Sequence, residues 1–327
     1  MRRLASGAVG LFLLLASSVV AAAAAQWPEP GRSIQVIVPA QAGAGVGNTL
    51  ARIITDALSD RLERRFVVQN FTSSNGFPGM LATTEANTDG YTLLFASVDS
   101  LVIEPGLHRS VAFEPLQYFA PVGLVAEIPH VLVVNKDLPA HSVQELTDYI
   151  AKYPGVVHFG SSGNGSTLHL AGESYLSATG TNMVHVPYSA AESATNNLVN
   201  GDIQAMFQVV SGVLNYVRGD KVRALAVMAA ERSPALPDVP SMVEAGYPAL
   251  QASRWYALLA PRGTPPDILQ HYNEALNEVL ASPALHDRLL ELGATPLGGT
   301  PEDLDNHLKD ETQKWGAVIE DAHLQPR

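Results

Sequence analysis

Two glycine-rich stretches carry the residues of this 327-residue chain best suited to holding an anion: Gly43-Ala44-Gly45-Val46-Gly47-Asn48 and Ser161-Ser162-Gly163-Asn164-Gly165-Ser166-Thr167. Each follows an apolar, strand-like run, residues 34–38 in the first case and 156–160 in the second. Each also opens a segment of helical periodicity, 49–64 and 168–178. A strand-to-helix turn of this kind aims several backbone N–H groups and the positive end of a helix dipole at one point. The chemistry on offer is anion binding, and two such loops more than a hundred residues apart point to one ligand gripped from both sides.

Other chemistries fit the same residues less well. Gly43, Gly45 and Gly47 give G-x-G-x-G rather than the dinucleotide fingerprint, Asn48 stands where its last glycine belongs, and no Gly-Lys-Ser/Thr follows to make a P-loop. In Gly160-Ser161-Ser162-Gly163 the last glycine comes one residue too early for a nucleophile elbow. A secreted hydrolase using Ser161 or Ser162 stays open as the alternative, because His169 and His185 lie nearby in sequence. The plainer reading puts His169 on the helix after the loop and His185 in a strand, each making internal hydrogen bonds. The ten histidines are scattered without metal-ligand spacing, and the absence of cysteine removes thiolate ligands and nucleophiles. No cofactor, metal or catalytic group is expected.

The elements that must position these loops alternate along the chain. Strand candidates are residues 34–38, 66–69, 92–96, 131–134, 156–160, 183–186, 203–209, 224–228 and 255–260. Leu50, Ile53, Ile54, Ala57, Leu58 and Leu62 follow the spacing of one buried helix face. Capping boxes at Ser142–Glu145 and Ser241–Glu244, and Thr-Pro starts at Thr264 and Thr300, mark helix beginnings. Gly180, Gly201 and Gly219 mark helix ends. Alternation of this sort argues for an α/β protein with mainly parallel sheets. His185-Val-Pro187-Tyr188 ends a strand and offers a tyrosine that can stack on a ligand or on its own domain. Trp255 and Tyr256 are either core or ligand wall, the tryptophan being the core residue.

Length suits two domains. Arg2 and Arg3 precede an apolar run from Ala8 to Val20 and an alanine run ending near Ala25, the layout of an export signal cut close to Ala25-Gln26. The helical segment 265–322 lacks a third glycine loop and is expected to pack back on the first domain. That gives residues 1–25 as signal, 26–124 plus 253–327 as a discontinuous domain 1, and 125–252 as domain 2. The formal net charge is −12, which disfavours nucleic acid and anionic lipid without forbidding a small anion held by backbone amides.

A run of short motifs then resembles one family. Ile-Val-Pro39 with the glycine loop, Asp89-Gly90-Tyr91, Phe119-Ala-Pro121, Ser161-Ser-Gly163-Asn-Gly165, His169-Leu-Ala-Gly-Glu173, His185-Val-Pro187-Tyr188, Arg232-Ser-Pro-Ala-Leu-Pro237 and Gly263-Thr-Pro265 occur in its order. The chain is similar, from Trp27 to Gln325, to the extracytoplasmic solute receptors of the tripartite tricarboxylate transporter family, the Bug receptors. The resemblance implies a two-domain periplasmic-binding-protein fold (type II-like), α/β with mainly parallel or mixed sheets and a ligand cleft between the domains. It implies a small carboxylate ligand, two integral membrane subunits as partners, a periplasmic location and a monomer. Carried over by position, the ligand-binding residues are Gly43, Ala44, Gly45, Asn48, Ser162, Gly163, Asn164, Ser166, Thr167, Tyr188 and Gln208. Here Asn48 stands where the family has aspartate, and as a helix cap it is expected to keep the turn. Ser189-Ala190-Ala191 replaces a usual glycine pair. A sensor that reports ligand to a membrane signalling partner shares all these features and stays open.

Overall fold

The computed structural model describes residues 27–40, 45–71, 77–107 and 114–324. The signal segment and the site residues Gly43 and Ala44 lie outside them. Among the described residues, no helix is long and apolar enough to cross a membrane.

The first half-sheet grows from β1 (Ile34–Val38), whose buried valines and isoleucines pair in parallel with β2 (Phe66–Asn70) and β3 (Thr92–Ser97). Between β1 and β2 runs α1 (Gly45–Leu62), which turns Leu50, Ile53, Ile54, Leu58 and Leu62 inward as its spacing predicts. With α2 (Phe77–Thr84) before it, β3 leads into a π-helical turn (Asp99–Ile103) continued by α3 (Glu104–Leu107), and α4 (Pro115–Tyr118), α5 (Val143–Lys152) and α10 (Pro283–Glu291) lie further along the chain. The second half-sheet holds β5 (His158–Ser161), β6 (Val184–Pro187), β7 (Ala205–Val209) and β8 (Val222–Val227). Helices α6 (Thr167–Thr179), α7 (Ala191–Asn200) and α8 (Val210–Arg218) alternate with these strands.

Two strands join the halves. β4 (Phe119–Asn135) pairs with β9 (Ser253–Pro261) and β10 (Thr295–Gly298) along its first part and with β7 and β8 along its last. The result is one ten-stranded sheet that follows the path β2-β1-β3-β9-β4-β7-β5-β6, with β8 and β10 also on β4. The sheet is mixed: the four strand pairs of β1 and β5 are parallel, and every pair made by β4 or β9 is antiparallel. Helices cover both faces, so the central strands β4, β7 and β9 are buried on both sides and the apolar core forms two layers. The C-terminal α9 (Pro266–Leu280) and α11 (Pro301–Asp321) both pack back on β4, and α9 also lies against α1.

Several local expectations change. β4 extends twelve residues before the expected 131–134, because register shifts next to Pro121 and Gly123 absorb the residues that read as strand breakers. β10 carries Pro296 and Gly298, which read as strand breakers. Ser241 and Glu244 exchange both capping-box hydrogen bonds, 2.8 and 3.1 Å, yet close only a turn with no helix behind it. Thr264 does not cap α9: its hydroxyl donates to Pro261 O at 2.8 Å, and Pro265 takes the cap position. Thr300 does open α11 with a full capping box. Nor is Asn48 a cap, since α1 begins three residues earlier, at Gly45.

Candidate ligand-binding site

Both glycine loops end in the first turn of a helix. At the second, Ser166 caps α6: its hydroxyl accepts from His169 N (3.3 Å) and donates to Gly163 O (2.8 Å). Ser162 and Gly163 are half-buried and Asn164 is exposed, so this stretch faces outward, while Thr167 is buried. Tyr188 donates its backbone N–H to Ser161 O (3.1 Å), which sets the tyrosine beside the loop.

The loop is braced from beneath by two histidines. Gly165 donates its amide to His169 Nδ1 at 3.0 Å. The His169 ring stacks on His185 with centroids 3.7 Å apart, and His185 Nε2 lies 2.7 Å from Ser161 Oγ. Burial and the neighbouring His169 push the His185 pKa down to about 4. The Ser161–His185 contact has the length of a nucleophile–base pair. Ser161, however, is wholly enclosed, and its Oγ also accepts from Gly163 N and donates to Gly163 O. Sequence spacing put these histidines near the loop but did not show them stacked.

At the first loop, Gly45 and Asn48 stand in the opening turn of α1. Asn48 is buried, and its Oδ1 accepts from Asn70 Nδ2 (2.5 Å), which also donates to Ala40 O. This amide pair ties the start of α1 to the ends of β1 and β2. Gln208, by contrast, spends its amide inside its own layer: Oε1 accepts from Val209 N, and Nε2 donates to Thr195 Oγ1. Neither partner belongs to a glycine loop.

What joins the loops is β9, in a role the sequence reading missed. Arg254 and Tyr256, two apart and so on one face of the strand, reach opposite sides. The Arg254 Nη2 donates to Thr167 Oγ1 (3.2 Å) at the start of α6 and to Asp99 Oδ1 (3.3 Å) beyond β3. The Tyr256 ring lies so close to the start of α1 that a Cβ on Gly47 would meet its Cε1 at 2.9 Å. Tyr256 stacks on Phe95, and burial pushes its hydroxyl up to about 12. Beside Arg254, His130 is fully buried with neither ring nitrogen hydrogen-bonded, and burial followed by the Arg254 charge lowers its pKa to about 4. Among the described residues, no cluster of histidine and carboxylate side chains could hold a metal. The arrangement can bind and orient an anion.

The model of the tripartite tricarboxylate transporter family receptor matches residues 50–324. The chain belongs to that family. As a tripartite tricarboxylate transporter receptor it is a solute-binding protein and not an enzyme, so the Ser161–His185 contact is a structural brace. The family's receptors are periplasmic and work with membrane subunits of the transporter. This receptor is 35% identical to protein BugT of Bordetella pertussis over 96% of both chains. Among solved structures it is similar to the Rpa4515 protein of R. palustris with adipate (30% identity, TM-score 0.80, covering 91% of this chain and 99% of that one). It is also similar to MatC of Rhodopseudomonas palustris with bound malate (28% identity, TM-score 0.74, 89% and 99%).

Proposed function

We propose that this receptor captures a small organic carboxylate between its two glycine loops in the periplasm and presents it to the membrane subunits of a tripartite transporter. The observation that carries this reading is the convergence of both helix starts on β9, through Thr167 to Arg254 and through Gly47 to Tyr256. Amides of Gly45, Ser162 and Asn164, with those of Gly43 and Ala44, supply the anion's hydrogen bonds, and Gly163, whose own amide is spent on Ser161 Oγ, shapes the turn that presents them. Asn48, Ser166 and Thr167 hold those amides in place, and Tyr188 walls the cleft, while the buried Gln208 braces the layer behind it. The adipate and malate of the two R. palustris relatives are ligands of the same class. Export with cleavage near Ala25, domain boundaries at 124/125 and 252/253, and a monomeric receptor complete the proposal.

A carboxylate entering the cleft meets donors from both halves, and only the closed form satisfies both sets. Binding therefore shifts the population toward closure by its differential affinity for the two forms. The closed shape is what the membrane subunits read. The test is a thermal-shift screen against acetate, succinate, malate, adipate, glutamate and benzoate. Ligand at a hundred times its dissociation constant adds about 2.7 kcal/mol. At roughly 2–4 °C per kcal/mol this moves the midpoint by several degrees. A shift confined to one chemical class supports the reading, and a folded protein that responds to none of the six overturns it.

A further inference from the structure

We propose that Arg254 is the residue that receives a carboxylate of the ligand, and that Asp99 is its resident counter-ion, with which the ligand competes. This rests on the carboxylate-receptor reading and names the charge that sets its affinity. The guanidinium stands at the start of α6, touching Thr167 Oγ1, the first residue after the Ser166 cap. An anion held by the second glycine loop would therefore meet a full positive charge as well as the helix dipole. Arg254 is 24% exposed and Asp99 30%, so the pair opens on solvent and is not sealed in the core.

The Arg254–Asp99 contact falls short of the geometry that the two groups can reach. A matched guanidinium and carboxylate make two parallel bonds of about 2.7–2.9 Å. Here Nη2 to Oδ1 is 3.3 Å, and Nε, although 2.9 Å from Oδ2, has no aligned hydrogen-bond partner. Asp99 is meanwhile shared with Ser97, whose Oγ donates to Oδ2 at 3.3 Å. A free carboxylate, not fixed to the backbone of a π-helical turn, can align both oxygens where Asp99 does not. Burial works against the charge of Arg254, but Asp99 and Tyr256 outweigh it and raise the pKa, so the guanidinium stays charged whichever anion it holds.

Isothermal titration of the purified protein with the six acids above, on wild type, Arg254→Gln and Asp99→Asn, tests the assignment. The expected result is at least tenfold weaker binding in R254Q and severalfold tighter binding in D99N. If Asp99 and Arg254 are only a structural tie, both variants break it and both lose affinity, which overturns the proposal. R254Q binding within twofold of wild type overturns it too and leaves the carboxylate reading standing. Wild type binding none of the acids overturns both.

Discussion

The amide of Gly165 donates to Nδ1 of His169 at 3.0 Å, so a histidine one turn into α6 acts as acceptor for the loop that precedes it. Nδ1 must then be unprotonated and the ring hydrogen sits on Nε2, which faces Glu173 Oε1 at 3.2 Å. The neutral tautomer is thus written into the loop's shape. His169→Ala leaves the Gly165 amide without an acceptor and His185 without its stacked neighbour. We expect the unfolding free energy to fall by about 2 kcal/mol. Carboxylate affinity should fall with it, and urea denaturation and titration calorimetry on the same variant measure the two effects.

Gly165 itself resists substitution for two independent reasons. Its φ of +76° is a conformation that L side chains rarely adopt, and a Cβ there would lie 2.4 Å from Leu107 Cδ1 of α3. Gly165→Ala should cost roughly 1–3 kcal/mol in backbone strain. The companion Leu107→Ala change in the same chain relieves the clash but leaves the strain. A double variant as stable as wild type would show that the backbone term is absent.

Acid should destabilise the protein through His130 and His185. Both folded-state values lie near 4, against 6.5 for an unperturbed histidine. Above about pH 6.5 the two rings are neutral in both states, and the stability is fully present. As pH falls from there toward 4 the unfolded chain takes up protons that the folded one refuses, and stability drops. For the wholly buried His130 this amounts to roughly 3 kcal/mol. His130→Leu removes two unpartnered ring nitrogens, so it should be near neutral at pH 7.5 and should flatten the stability profile between pH 6.5 and 4. Urea midpoints across that range give the answer, and a slope unchanged from wild type counts against the His130 contribution.

Glu311 collects both buried indoles of the C-terminal packing: Oε2 accepts from Trp255 Nε1 (2.9 Å) and Trp315 Nε1 (2.8 Å), while Lys314 binds Oε1. Burial opposes its charge, yet Lys314 and the indoles hold its pKa below the usual carboxylate value. Glu311→Ala strands two indole N–H groups and should cost roughly 2–4 kcal/mol. Glu311→Gln keeps one acceptor oxygen and should cost less. Tryptophan fluorescence during denaturation follows the loss at the affected rings.

Much of the fold was legible because apolar runs and glycine ends are local signals. Residues 34–38 form β1 as read, and the inward face of α1 keeps Leu50, Ile53, Ile54, Leu58 and Leu62 but leaves Ala57 half-buried and adds Asn48, Ala51 and Thr55. The length of β4 was not legible, since Pro121 and Gly123 are tolerated through register shifts that depend on β9. In the candidate site, glycine spacing marks the loop from Ser162 to Thr167. Arg254 and Asp99 carry no such mark: each is an ordinary charged residue in its own segment, and only the pairing of β9 with β4 and β3 brings them together, 155 positions apart. The Ser241–Glu244 box taught the converse, that a cap chemistry can close a turn where no apolar face follows to sustain a helix.

One feature of the sheet sets what kind of motion the protein can make. Seventeen residues of β4 serve both halves, its first part zipped to β9 and β10 and its last to β7 and β8. Neither half owns a complete sheet, and each borrows the same ribbon. A cut within that ribbon leaves no piece able to stand alone, so the protein should melt in a single step and resist being expressed as two fragments. The closure proposed for ligand capture is then a twist of shared backbone, not a swing about a slack tether.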